Sequence, residues 1–344
     1  MKPVANTVVV EVHEQLIKLI KDPHLNETLA ATPHITEEII NLSLQQLTAA
    51  YDEEDLAARE TVQRSLFLIY NSLLADPLSA AAKNQHNPFL MTLKNLIERH
   101  WLEYEFRRYP CKLPDKNADA PSVIADLLEL YHTHRASHHP LFDFLGSEAN
   151  REQFRLFFKS DSALNILFFD LVALMLPGSA PSTRAEICKN LWDEAGQGNS
   201  QHTHVELYKH LLSGCAIELA ENHFTSLYSW QGYTGYNVFM LGATNRQHYY
   251  KLIGAMAMTE LLDPPQYSKL VKGCQRLNID NKHTLYYREH IEVDIDHAAG
   301  WLEHVITPLI NTHPASAQEF IRGATLRLQS CADYYDSLLH KMTC

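Results

Sequence analysis

Between Tyr286 and His297 the chain carries His290, Asp294 and His297 in a segment otherwise rich in apolar residues. On a helix, residues four and seven apart return to nearly the same direction. At about 100° per residue the three therefore fall within an arc of roughly 60°. Two imidazoles and a carboxylate on one stripe make a facial ligand set for a divalent transition metal, most naturally iron. A polar stripe on a surface helix would have the same spacing. The flanks argue against it, because Ile291, Val293, Ile295, Ala298, Trp301, Leu302 and Val305 distribute apolar side chains around most of the helix. Such a helix is largely buried, and buried ionisable groups need partners or a metal.

The rest of the chain reads as helix. Apolar residues recur at three- and four-residue spacing over Val8–Lys21, Thr36–Ala50, Asp55–Leu74 and Pro88–Tyr109. Loops such as Asp22-Pro23-His24 divide these segments. Residues 1–108 thus form an N-terminal helical region, expected as a lead-in or dimerisation element. A linker follows at residues 109–121, where Pro110, Pro114 and Pro121 punctuate a polar stretch. Residues 122–344 form the second domain. There, Asn150 with Gln153 and Thr183 with Glu186 resemble capping boxes, Pro264-Pro265 marks a helix start and Gly273 a helix stop. No alternating strand pattern of useful length occurs, and Gly is scarce at 12 residues. The class is all-α.

A formal charge of −12 disfavours nucleic acid or an anionic membrane as the main partner. No apolar run reaches the roughly 18 residues of a membrane span. Met1–Asn6 lacks the apolar core of a signal peptide, and the six cysteines are scattered without a C-x-x-C pair. These features predict a cytoplasmic location with reduced thiols.

A second unusual stretch runs from Leu191 to Tyr208. A helical segment meets Gly196 and Gly198, then resumes with His202, His204 and His210. Each glycine inside a helix costs about 1 kcal/mol relative to Ala, so a packing or functional reason is expected. On an ideal helix Glu194 and His204 would point roughly 80° apart, and a distortion at the glycines would turn both toward one centre. A Gly-containing turn between two surface helices is the alternative. Elsewhere, Glu129 and His132 make an E-x-x-H step that reads as a polar helix end, and His304 reads as packing beyond the site.

Here the sequence resembles a known family. Asp193-Glu194-Ala195-Gly196-Gln197-Gly198, followed by His204 and Leu207-Tyr208, is similar to the D-E-x-G-x-G…H-x-x-L-[YF] signature of the haem-oxygenase-like diiron oxidases, the iron-containing redox enzymes. His290, Asp294 and His297 match the family's closing H-x-x-x-D-x-x-H helix. Gly254–Glu260 resembles its G-x-L-x-x-x-E helix, with Met256 in place of Leu. The resemblance spans about residues 140–312 and does not reach residues 1–108. It implies a haem-oxygenase-like helical bundle preceded by the additional N-terminal region. It also implies that Glu260 is a bridging or flexible ligand, and that a further carboxylate comes from the helix before the D-E-x-G-x-G element. In Asn165–Val172 the carboxylate is Asp170, where the family has Glu.

The expected ligands are therefore Asp170, Glu194, His204, Glu260, His290, Asp294 and His297. This nitrogen and oxygen set suits iron or manganese rather than structural zinc. The resemblance implies two iron ions cycling between Fe(II) and Fe(III), with O2 as co-substrate and no organic cofactor. The activity it implies is oxidation of a small amine- or carboxylate-bearing metabolite by N-oxygenation, oxidative C–C cleavage or desaturation. An external electron donor and a homodimer are further expectations. The alternative is a catalytically inactive or cofactor-free binding module of the same fold.

Overall fold

Apolar periodicity produces helices throughout residues 12–344, the part of the computed structural model that is described, and no strand occurs among the described residues. The first expected helix begins at Val8, but residues 8–11 and Met1–Asn6 lie outside the described residues. The chain divides after Arg108 into two compact units.

The first unit contains α1 (Val12–Ile20), α2 (Leu25–Ala31), α3 (Pro33–Tyr51), α4 (Leu56–Asn71), α5 (Ala80–Asn84) and α6 (Pro88–Arg108). Its core joins Leu16, Leu19, Leu25, Ile39, Ile69 and Leu90. Asp55 ends the loop before α4 by accepting from the amides of Ala57 and Ala58 at 2.8 and 3.0 Å, an N-cap. Inside, the Tyr70 hydroxyl donates to Glu98 Oε1 at 2.6 Å, and Lys94 Nζ reaches the same oxygen at 3.0 Å. The buried carboxylate is thus partnered, as burial of charge requires.

The second unit contains α7 (Ala120–Thr133), α8 (Pro140–Ser147), α9 (Arg151–Met175), α10 (Arg184–Glu194), α11 (His204–Gly214), α12 (Trp230–Thr244), α13 (Tyr249–Arg276), α14 (Leu285–Gly300), α15 (Thr307–Thr312) and α16 (Ala317–Thr343). A π-helical turn, Trp301–Ile306, joins α14 to α15. The capping box is present at Asn150 and Gln153. It is absent at Thr183, whose hydroxyl instead donates to Ala180 O at 3.0 Å from within a 3-10 turn.

Helix α13 is the axis of this unit, with buried residues on every face, and it packs against α8, α12, α14 and α16. It runs through Pro264-Pro265 and Gly273, where the sequence predicts a start and a stop. Proline costs about 3 kcal/mol in a helix interior, and burial of the surrounding apolar side chains outweighs it. Gly273 serves close approach instead of a cap: a Cβ there would lie 2.3 Å from Leu145 O of α8. The crossing of α13 and α16 is tighter still. A Cβ on Gly254 would meet Phe320 O at 2.1 Å, and one on Gly323 would meet Lys251 O at 1.9 Å.

Helix α14 is less enclosed than its composition suggests. Ile295 is 60% exposed, and Glu292 and Asp296 share that outer face, while Tyr287, His290, Asp294 and His297 face inward. The apolar residues around the helix do not all reach a partner, because α13 and α11 cover one side of it.

Gly323→Ala is expected to lower stability by about 2 kcal/mol or more, since backbone must move to admit the methyl group. Gly235→Ala in α12, where a Cβ meets nothing within 4 Å, is expected to be neutral or to stabilise by about 0.5–1 kcal/mol. Urea melts of the two variants test the contrast.

Candidate metal centre

The inward stripe of α14 meets ligands from three other helices. Glu194 is the last residue of α10 and His204 the first of α11. Between them Gly196, Gln197 and Gly198 take φ of 64°, 54° and 86°, so the helix breaks completely and a second one starts. Only glycine fits at position 196, because a Cβ there would fall 2.5 Å from the His202 backbone. Gln197 holds the left-handed conformation at a cost of about 1 kcal/mol and donates from Nε2 to Asp193 Oδ1 at 2.9 Å. Thr203 then caps α11 by accepting from the Glu206 amide at 3.2 Å. The reversal brings His204 Nδ1 to 2.8 Å from Glu194 Oε1.

Glu194, His204 and His290 form one group of ligand atoms, all within 4.8 Å of one another. Glu260, Asp294 and His297 form a second on the same criterion, and all six residues are buried. His290 and Asp294 are one helical turn apart on α14, about 6 Å of axial rise, so the groups are neighbours. His204 and His290 place their ring centroids 4.2 Å apart.

The imidazoles are oriented by hydrogen bonds on their far nitrogens. His290 Nδ1 lies 2.7 Å from the Tyr286 carbonyl. A carbonyl only accepts, so Nδ1 carries the proton and Nε2 is free toward Glu194. His297 is held by its other nitrogen. Its Nε2 donates to Asp193 Oδ2 at 3.0 Å, leaving Nδ1 at 3.5 Å from Glu260 Oε2 and 3.6 Å from Asp294 Oδ1. Partners of this kind fix ring orientation and raise ligand basicity.

The electrostatics are those of a site built for a cation. Burial and then the nearby Glu260 push the Asp294 carboxyl well above its usual range. Burial and the neighbouring His204 hold His290 well below the usual imidazole value. Burial opposes charge on His297 too, but Asp294, Glu260 and Asp193 outweigh it and raise its pKa to about 11. Glu194 Oε2 and Asp294 Oδ2 are buried without a hydrogen-bond partner, a costly state for a carboxylate oxygen. These orphaned oxygens, with an all nitrogen-and-oxygen donor set, fit two divalent iron ions.

Six of the seven expected ligands are brought together, and Asp170 is not. It is half-buried on α9 and belongs to neither group. The carboxylate of α9 that faces the centre is Asp161, which lines the adjoining cavity with Asn165 and Phe168. Nine residues at about 100° each leave Asp170 half a turn away from Asp161, so the two cannot share a face. Asp161, Asn165 and Phe168 themselves have the spacing of one helical stripe, a signal present in the sequence. His202, His210, His304 and the pair Glu129 and His132 are exposed.

The cavity beside the two groups leaves about 60 Å³ for the centres of water-sized molecules. Asp263 and Arg327 also line it, together with Tyr228, Tyr236, Tyr334 and Tyr335. Burial pushes the Asp161 carboxyl up to about 6, although Asn165 Nδ2 donates to it at 2.8 Å.

A helical bundle that presents two adjacent carboxylate–imidazole groups defines the class of non-haem metalloproteins with an interior centre. The sequence model described as iron-containing redox enzyme matches residues 155–332, more than half of the chain, and the protein belongs to that family. Among solved structures, a CADD-like protein of unknown function from Nostoc punctiforme PCC 73102 superposes with a TM-score of 0.53. The identity is 15% over 65% of this chain and 99% of that one, and the likeness shows the shared fold. No curated protein sequence matches the chain. Among the described residues no helix is long and apolar enough to cross a membrane.

The Asp161 carboxyl has a higher pKa folded, about 6, than its ordinary value of 3.8. The folded protein therefore binds more protons than the unfolded chain between those values, and stability falls as pH rises through them. Asp161→Asn is expected to stabilise the metal-free protein at pH 7.5 by on the order of 2–3 kcal/mol at most. The gain should shrink as pH falls toward 4.5, and thermal melts at the two pH values measure it.

Proposed function

We propose that the protein is an O2-activating non-haem diiron oxidase or oxygenase acting on a small amine- or carboxylate-bearing metabolite. The observation that carries this reading is the pair of buried three-residue groups sharing α14, each with a carboxylate oxygen that no protein group satisfies. Glu194, His204 and His290 would hold one ion, and Glu260, Asp294 and His297 the other. Bound iron supplies Lewis acidity and the one-electron steps through which O2 reacts with an organic molecule. N-oxygenation, oxidative C–C cleavage and desaturation are the reactions of this type, and reducing equivalents come from an external electron donor.

The protein's own residues prepare the site for that chemistry. Asp193 and the Tyr286 carbonyl hold the His297 and His290 rings so that one nitrogen of each points inward. Proline at 264 removes the amide that would bond the Glu260 carbonyl four residues earlier, loosening the helix where a flexible carboxylate ligand sits. Phe168 and the tyrosines line the cavity beside the metal groups, and a wall of low polarity strengthens charge interactions there.

Anaerobic Fe(II) titration of metal-free protein is expected to load about two ions per chain. Asp294→Ala should lose at least one of them while the circular dichroism spectrum stays helical. Exposure of the loaded protein to O2 should consume O2 and give a transient visible absorption. Binding of less than one ion, with no such absorption, would show a binding module in place of the enzyme. Asp170→Ala is expected to leave iron stoichiometry unchanged, as measured by elemental analysis.

A further inference from the structure

The charged groups of the cavity do not pair with one another. Asp161, Glu194, Glu260, Asp263 and Asp294 line it against one guanidinium, that of Arg327, among the described residues. Two divalent ions together with Arg327 would balance these five carboxylates. The loaded cavity is then neutral as a whole, yet its charges are separated. Arg327 is 7% exposed and makes one side-chain hydrogen bond, from Nε to Thr259 Oγ1 at 2.9 Å. Its guanidinium carbon stacks 4.7 Å from the centre of the Phe239 ring. Among the described residues Arg327 has no other side-chain hydrogen bond and no ion pair, and Asp263 and Asp161 act on it only from longer range. A buried guanidinium with its fork free is costly and has the geometry for two parallel hydrogen bonds to a carboxylate. Thr259 precedes the ligand Glu260 in α13, so the fork is held next to the metal groups.

Asp161 and Asp263 come from α9 and α13 and line the same space. Asn165 gives Asp161 one hydrogen bond, and Arg327 favours charge on both carboxylates from beyond ion-pair distance. They are placed to receive a cation. Aromatic side chains, Tyr228, Tyr236, Tyr334 and Tyr335, form the remaining wall, a surface that accepts the apolar or cationic body of a ligand.

We propose that the cavity binds an amino acid, or a closely related small zwitterion, with Arg327 taking its carboxylate and Asp161 with Asp263 taking its ammonium group. A zwitterion adds no net charge to a balanced cavity and satisfies the free fork and the free carboxylates together. A simple amine would leave Arg327 unpaired, and a simple acid would leave both aspartates unpaired. The inference names the substrate class for the oxidase reading, and rests on that reading for the chemistry but not for the binding.

The test is calorimetric binding of the proteinogenic L-amino acids, at up to millimolar concentration, to iron-loaded protein kept anaerobic. For the tightest ligand, the decarboxylated amine and the deaminated acid are measured in parallel. Each truncated molecule is expected to bind about ten-fold or more weakly. Arg327→Gln should weaken the amino acid by a similar factor and leave the amine unchanged. Asp263→Asn should weaken the amino acid and leave the deaminated acid unchanged, which provides a second, independent variant if the first fails to fold. Absence of binding by every amino acid overturns the proposal, as does equal weakening of amino acid and amine by Arg327→Gln. Iron content is determined on the same samples. Iron bound without amino-acid binding defeats this inference alone, whereas amino-acid binding through Arg327 without iron defeats the oxidase reading alone.

Discussion

The structure depends on placing six candidate ligand groups side by side in a helical interior. Carboxylates taken out of water push their pKa values up, and like charges beside them push further, as at Asp294 next to Glu260. Such an arrangement persists only if something else holds the helices together. The close crossing of α13 with α16 at Gly254 and Gly323, and the packing of α13 against α14, provide that frame. Four of the six candidate ligands, Glu260, His290, Asp294 and His297, ride on this α13–α14 pair. Their spacing is set by helix geometry, and the opposed orientations of the His290 and His297 rings follow from what each ring's outer nitrogen can reach. Metal ions would then relieve a repulsion that the frame imposes.

The other two ligands come from a different device. Glu194 and His204 lie on separate helices, joined by a turn whose consecutive left-handed residues include one, Gln197, that is not glycine. Strain of this kind survives where surrounding contacts over-determine it. Here the Gln197 side chain bonds Asp193, and Asp193 in turn holds His297. The turn that reverses the chain is thus tied by hydrogen bonds to His297 of the second candidate group. A break in α10 elsewhere would misplace Glu194, His204 and the Asp193 support together.

Much of this was legible in the sequence, for local reasons. The stripe on α14 is visible because helical periodicity alone sets which residues share a face. The glycine pair is visible because glycine inside a helical pattern demands a cause. The all-α class and membership of the iron-containing redox family agree with what those motifs imply. What failed depended on tertiary partners. Asp170 looked like the α9 carboxylate because it lies amid apolar residues, yet the direction in which α9 faces the centre is set by Asp161, Asn165 and Phe168. Pro264, Pro265 and Gly273 looked like helix boundaries because propensity disfavours them, but burial against α8, α14 and α16 carried the helix through. Arg327 carried no local signal. Its interest lies in what does not pair with it, and that is visible only once α9, α12, α13 and α16 close around the cavity.

The central claim is that this interior holds two iron ions, one in each group of three ligands. An anomalous difference map at the iron absorption edge, from crystals of the anaerobically loaded protein, tests it most directly. Two peaks are expected, one among Glu194, His204 and His290 and one among Glu260, Asp294 and His297. A single peak, or iron bound at Asp170 instead of within these groups, would contradict it.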